Sequence, residues 1–154
     1  GRMERVDNEK NIACYVDYAH NAMSLAHVLK TLRMYRPQRI ITVFGCGGNR
    51  SKGRRLQMGR VSGECSDVTI ITSDNPRFEE PLQIMKDIEE GILGTGGAYH
   101  MIEDRREAVR LAVHMARQGD IVLIAGKGHE DYQEIRGARY PMDDRLLVES
   151  ALQD

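Results

Sequence analysis

The chain has 154 residues and a formal net charge of -1, which fits one domain with a buried core. That charge gives no basic field for nucleic acid or an anionic membrane, and no apolar run approaches the roughly 20 residues needed to span a bilayer. Cys14, Cys46 and Cys65 form no CxxC pair, so neither a zinc knuckle nor a redox dithiol is indicated, and free thiols in a reducing cytoplasm are the simple reading.

The predicted elements alternate between strand and helix. Ile12 to Val16 is a short apolar strand, and residues 22–35 carry Leu25, Val28, Leu29 and Leu32 at helical spacing. Pro37 closes that helix. Residues 39–44 (RIITVF) then form a β-branched strand running into a glycine cluster. A helix is expected over 54–65, a strand over 68–72, a helix over 81–93 and a strand over 98–102. Residues 105–118 are amphipathic through Ala108, Val109, Ala112 and Met115. Residues 121–125 (IVLIA) read as a strand buried on both faces. Residues 132–140 suggest a hairpin turning at Gly137-Ala138, before a last helix from Asp143. Near-continuous apolar strands separated by helices predict an α/β, Rossmann-like fold. Its sheet is mostly parallel, with helices on both faces and a small antiparallel hairpin near the C-terminus.

In such sheets ligands sit beyond the carboxyl ends of the strands. The polar, glycine-rich segments of this chain fall at those ends: after Val16, after Phe44, after Thr72 and after Ala125. Gly45-Cys46-Gly47-Gly48-Asn49-Arg50 misses the dinucleotide fingerprint, because arginine stands where the third glycine belongs. Gly48 to Arg55 misses the P-loop, because Arg54-Arg55 replaces Lys-Ser/Thr. A tight strand-to-helix turn explains the glycines equally well. Arg50, Lys52, Arg54 and Arg55 nevertheless crowd a helix N-terminus, which suits a carboxylate or a phosphate.

Asp74-Asn75-Pro76 is a turn initiator, and Arg77 after it reads, taken alone, as a solvated arginine or as a guanidinium fork for a carboxylate. Gly126-Lys127-Gly128-His129-Glu130-Asp131 permits close approach to the backbone, and Glu130 could hold an ammonium; no hydrolase spacing is present. Asp17-Tyr18-Ala19-His20 could be no more than a helix N-cap region, with Asp17 or Asn21 accepting backbone N–H bonds.

Taken in order, DYAH, FGCGGNR-SKG-RR-MG, DNPR-EEP, AGKGHEDYQ and DDR resemble the C-terminal domain of Mur ligases, in particular those that add the third residue of the peptidoglycan stem. The resemblance runs from Gly1-Arg2-Met3-Glu4, similar to the family's boundary with its central domain, to about Val148. Residues 1–154 then form a single amino-acid-recognition domain, with the UDP-binding and central ATPase domains outside this chain.

The resemblance implies a cytoplasmic bacterial ligase that joins meso-diaminopimelate to UDP-MurNAc-L-Ala-D-Glu. Its ATP and Mg2+ are held mainly by the central domain, and its own N-terminal and central domains are partners. By the same resemblance Arg50, Asn75 and Arg77 hold carboxylates of the incoming amino acid, Gly126 and Glu130 hold its distal ammonium, and Asp17 and His20 approach the nucleotide on domain closure. The resemblance implies neither a catalytic residue nor a metal ligand here, and the piece alone is expected to be inactive. Two departures from the family pattern are Asn21-Ala22-Met23-Ser24 after DYAH and Leu56 in place of a proline. The competing readings are a free-standing Rossmann-like nucleotide- or phosphate-binding module, and a structural or regulatory homologue without activity.

Overall fold

The computed structural model describes residues 3–154; the boundary reading at Gly1-Arg2 lies outside the described residues. The strands are β1 (Glu4–Val6), β2 (Ala13–Asp17), β3 (Ile40–Phe44), β4 (Val68–Ile71), β5 (Ala98–Met101), β6 (Ile121–Ala125), β7 (Tyr132–Ile135) and β8 (Ala138–Pro141). The helices are α1 (Ala22–Arg33), α2 (Lys52–Cys65), α3 (Pro81–Leu93), α4 (Arg105–Met115) and α5 (Asp144–Gln153).

Six strands form one sheet in the order β1-β2-β6-β3-β4-β5, and β7-β8 make a separate hairpin. Strands β2 to β6 pair in parallel, while β1 lies antiparallel on β2 at one edge. The expected doubly covered parallel sheet and small hairpin are therefore present. Strand β1 was not foreseen: Glu4-Arg5-Val6 is too short to show a period, and only its pairing with β2 defines it. The hairpin turns one residue earlier than expected, at Arg136-Gly137, where both residues have positive φ (50° and 81°). That is the pattern of a two-residue hairpin loop of the primed type.

Alternation along the strands divides the core in two. Ile41, Val43, Val122 and Ile124 face α4 and α5, whereas Ile40, Phe44, Ile121 and Leu123 face α1, α2 and α3. Helix α2 starts at Lys52, with the Ser51 side chain accepting from the Arg54 amide. It docks with little apolar surface. A Cβ on Gly59 would lie 2.1 Å from the Ile88 carbonyl, and one on Gly91 equally close to the Leu56 carbonyl. The two glycines thus let α2 and α3 approach backbone to backbone, and Ser62 anchors α2 to the sheet through Thr69 (2.6 Å).

The topology positions the polar loops. After β5 the chain returns to insert β6 between β2 and β3. The loops following β2, β6, β3 and β4 are therefore neighbours at one end of the sheet, where parallel α/β folds hold ligands.

Candidate functional site

The loop after β4 is the centre of the site. Hairpin β7-β8 holds it from one side: Gln133 Nε2 donates to the Asp74 carbonyl (2.8 Å), and the Glu134 amide donates to Asn75 Oδ1 (2.9 Å). The Arg77 amide donates to the Glu134 carbonyl (3.0 Å), and the Arg136 amide to the Arg77 carbonyl (2.7 Å). These bonds keep Arg77 in the left-handed region (φ 56°), a conformation costly for a side chain of its size. The Arg77 guanidinium gives Nε to Glu134 Oε1 (3.1 Å) and Nη1 to the Gly48 carbonyl (3.0 Å). Nη2 is the nitrogen not engaged in these bonds.

The loop after β3 is fixed in the same way. The Gly48 amide donates to the Asn75 carbonyl (2.7 Å), and the Asn49 amide donates to the Glu79 carboxylate in a short contact. Arg55, buried at 3% exposure, bonds Glu79 (2.8 Å), Asp87 (3.0 Å) and the Gly47 carbonyl (3.3 Å). This disposes of much of the basic cluster noted in the sequence. Arg55 is an internal clamp, and Lys52 lies 3.3 Å from Glu90. It also weakens the phosphate reading, since two amides that a phosphate would need at this turn already serve Asn75 and Glu79.

The hydrogen bond from Arg55, followed by that from the Asn49 amide, holds the Glu79 carboxyl below the usual glutamate range. A carboxylate with a depressed folded pKa stabilises the fold above its unfolded value, near 4.3, and loses that contribution as pH falls through the lower folded value. Acid unfolding monitored by circular dichroism should therefore become less steep below about pH 4.3 in Glu79→Gln than in the unchanged chain. An identical acid limb in the two proteins would remove Glu79 from the clamp.

After β6, Gly126 sits at φ 113°, outside the range of ordinary side chains, and its missing Cβ leaves room for Asp74 Oδ2. Lys127 is fully buried, its Nζ donating to Asn75 Oδ1 (2.9 Å) and to the Tyr132 carbonyl (2.6 Å). The same Nζ lies 3.1 Å from Asp74 Oδ1, an ion pair by distance whose angle is not that of a hydrogen bond, and 3.8 Å from Glu130 Oε1.

Arg50, Asn75, Arg77, Gly126 and Glu130 all line one small cleft of about 80 Å³, together with Tyr18, His20, Arg54 and Asp74. Cys46 also lines it, but burial, followed by the nearby Asp74 charge, pushes its thiol up to about 12, so it is no nucleophile. Asp17 is not in this cleft. Its Oδ2 accepts from the Ala19 amide (2.7 Å), and it borders a wider, open groove of about 700 Å³ along α1. Asn21 caps α1 at the Ser24 amide (2.8 Å), so the helix-cap reading holds for Asn21, while the bond to Asp17 closes a turn ahead of the helix. Tyr18 and His20, their rings 4.7 Å apart, border both cavities and form the partition between them.

Sequence reasoning missed Lys127, Asp74, Tyr18 and Glu134. Tyr18, Asp74 and Lys127 each adjoin a residue it did single out, whereas Glu134 reaches the site only through its contact with Arg77. Among the described residues no group of three or more His, Cys, Asp or Glu is placed to hold a metal ion, and no helix is long and apolar enough to cross a membrane.

Fold and cleft define a doubly wound α/β domain whose polar site gathers four strand-end loops. The chain matches the family model described as Mur ligase, glutamate ligase domain, over residues 1–128. It is 47% identical over 169 residues to UDP-N-acetylmuramoyl-L-alanyl-D-glutamate--2,6-diaminopimelate ligase of Geobacter metallireducens, covering 100% of this chain and 33% of that protein. It is 47% identical over 152 residues to the ligase of the same name from Clostridioides difficile, covering 99% of this chain and 31% of the other. A solved structure of a ligase with that name superposes with a TM-score of 0.92 at 45% identity, covering 99% of this chain and 31% of its own. The chain belongs to the Mur ligase family. It spans about a third of the length of the curated relatives it matches.

Proposed function

We propose that this chain is the amino-acid-recognition domain of an ATP-dependent ligase that joins meso-diaminopimelate to UDP-MurNAc-L-Ala-D-Glu in the bacterial cytoplasm. The observation that carries the reading is the composition of the cleft. Cationic and amide donors (Arg50, Arg77, Asn75) line it together with acceptors (Asp74, Glu130 and the backbone at Gly126). The distal end of meso-diaminopimelate, a diamino dicarboxylic acid, carries both a carboxylate and an ammonium, and only a site with both groups of partners satisfies both charges on desolvation. Arg77 and Asn75 donate to the distal carboxylate with Arg50 assisting, while Glu130 and the Gly126 carbonyl accept from the distal ammonium. This anchors the far end and leaves the other amine to approach the acceptor substrate.

ATP, when bound, supplies the phosphoryl group that activates the glutamyl carboxylate. ATP and Mg2+ belong mainly to a central domain, in keeping with the incomplete P-loop of this chain. Asp17 and His20, bordering the wider groove, face the nucleotide when the domains close, with Tyr18 and His20 between nucleotide and amino acid. The domain alone has neither ATPase nor ligase activity.

The test is Glu130→Ala in a full-length Mur ligase carrying this domain. Loss of one charge-assisted partner should raise KM for both meso-diaminopimelate and lysine on the order of 10- to 100-fold, because both carry the distal ammonium. KM for ATP should stay within about threefold, since Glu130 lies in the amino-acid cleft. An unchanged KM for both amino acids would refute the assignment.

A further inference from the structure

Lys127 is the largest polar investment near the cleft that the proposed recognition scheme leaves without a role. Its side chain is fully buried, although lysine is rarely so, and acceptors surround Nζ: Asn75 Oδ1, the Tyr132 carbonyl, Asp74 Oδ1 and, farther off, Glu130 Oε1. Asn75 is itself 5% exposed and lines the cleft. Its Oδ1 accepts from two groups, the Lys127 ammonium and the Glu134 amide, each at 2.9 Å. Neither of those groups can accept a hydrogen bond. Rotating the amide by half a turn would set its NH2 against two donors, so the chemistry of the neighbours decides which way the amide faces.

We infer that Lys127 is a positioning residue of the cleft. It pins Asn75 with its oxygen turned inward, so that the amide shows only its Nδ2 donor to the ligand and selects a carboxylate at that point. The inference rests on the proposed reading of the cleft as the amino-acid site. Lys127 has a second consequence at the acceptor end. Its charge offsets one of the two carboxylates Asp74 and Glu130, leaving a single net negative charge for a single ligand ammonium. Removing Lys127 therefore separates two effects: Asn75 loses its orientation, which harms carboxylate recognition, while ammonium recognition keeps all its acceptors and gains negative charge.

The experiment uses steady-state kinetics of a full-length Mur ligase carrying this domain, with meso-diaminopimelate, L-lysine and ATP varied in turn. For Lys127→Met, KM for meso-diaminopimelate should rise on the order of 10- to 100-fold, the effect of one lost charge-assisted bond. Lysine kcat/KM should be unchanged or improved, and KM for ATP should be unchanged. Damage to the fold would lower use of all three substrates alike.

Because Lys127→Met leaves Asp74 buried without its partner, Asp74→Asn/Lys127→Met is compared with Asp74→Asn alone, which removes the uncompensated charge. The diaminopimelate defect should persist in the double variant relative to Asp74→Asn. Full recovery there would show that Lys127 acts only as a counter-charge and would overturn the positioning role. Arg77→Ala, run in parallel, separates the two levels. If Arg77→Ala leaves KM for diaminopimelate unchanged, the reading of the cleft fails and the role of Lys127 with it. If Arg77→Ala raises it and neither Lys127 variant does, the inference about Lys127 alone is wrong.

Discussion

Arg77→Ala, in a full-length Mur ligase carrying this domain, is expected to lower kcat/KM for meso-diaminopimelate by a factor on the order of 10³, with lysine use changed by no more than about threefold. The guanidinium has two of its three nitrogens fixed by Glu134 and the Gly48 carbonyl, so the third is delivered to the cleft with little orientational freedom left to lose. A ligand carboxylate meeting that nitrogen gains a charge-assisted bond in a partly desolvated place. Without Arg77 the carboxylate would be desolvated beside Glu134, its new neighbour of like charge. Lysine brings no distal carboxylate, so it gains nothing from Arg77 and loses nothing when Arg77 is removed. Arg77→Lys should not restore activity fully, because a point charge cannot hold Glu134, Gly48 and a ligand at once. The scheme is wrong if the unchanged enzyme prefers lysine, or if Arg77→Ala keeps the original preference.

The second large effect concerns stability. Arg105 and Asp144 are each fully buried and form a bidentate pair, Nε to Oδ1 at 2.7 Å and Nη2 to Oδ2 at 2.8 Å. Arg105 also donates from Nη1 to the Ser73 carbonyl (2.8 Å) and from Nη2 to the Ala125 carbonyl (3.2 Å). One side chain thus ties α4 to α5 and to the residues immediately before Asp74 and Gly126, the turning points of two site loops. Removing one partner of a buried pair leaves an unpaired charge and typically costs about 3–5 kcal/mol. Arg105→Met should therefore lower Tm by roughly 10 °C in a domain of this size. Arg105→Met/Asp144→Leu should recover much of that, because a neutral apolar pair carries no desolvation penalty. Thermal unfolding by circular dichroism reads both. A Tm within about 2 °C of the unchanged chain for Arg105→Met would show that the pair does not hold the loops.

What the sequence alone determined was the local part of this design. Runs such as Ile40–Phe44 and Ile121–Ala125 announce strands buried on both faces, because a parallel sheet under two helical layers needs apolar residues at successive positions. Polar, glycine-rich segments at the strand ends point to one composite site, the resemblance to Mur ligases singles out Arg50, Asn75, Arg77, Gly126 and Glu130 within them, and all five line the same cleft. Longer-range features were settled only by the tertiary structure. Local periodicity cannot say that β6 enters between β2 and β3, which depends on pairing between distant segments, or that Glu4–Val6 completes the edge, because three residues are too few to show a period. Helix α2 has no apolar stripe to read; it docks through Gly59 and Ser62 against backbone and hydroxyl partners from other elements. Charged residues misled most. Arg55 reads as part of a basic cluster at a helix N-terminus and Lys127 carries no assigned role in the sequence, yet both are buried. Burying them is tolerable because Glu79 and Asp87 in one case, and Asp74 and Asn75 in the other, arrive from elements far away in the chain, with the nearby Tyr132 carbonyl completing the shell of Lys127.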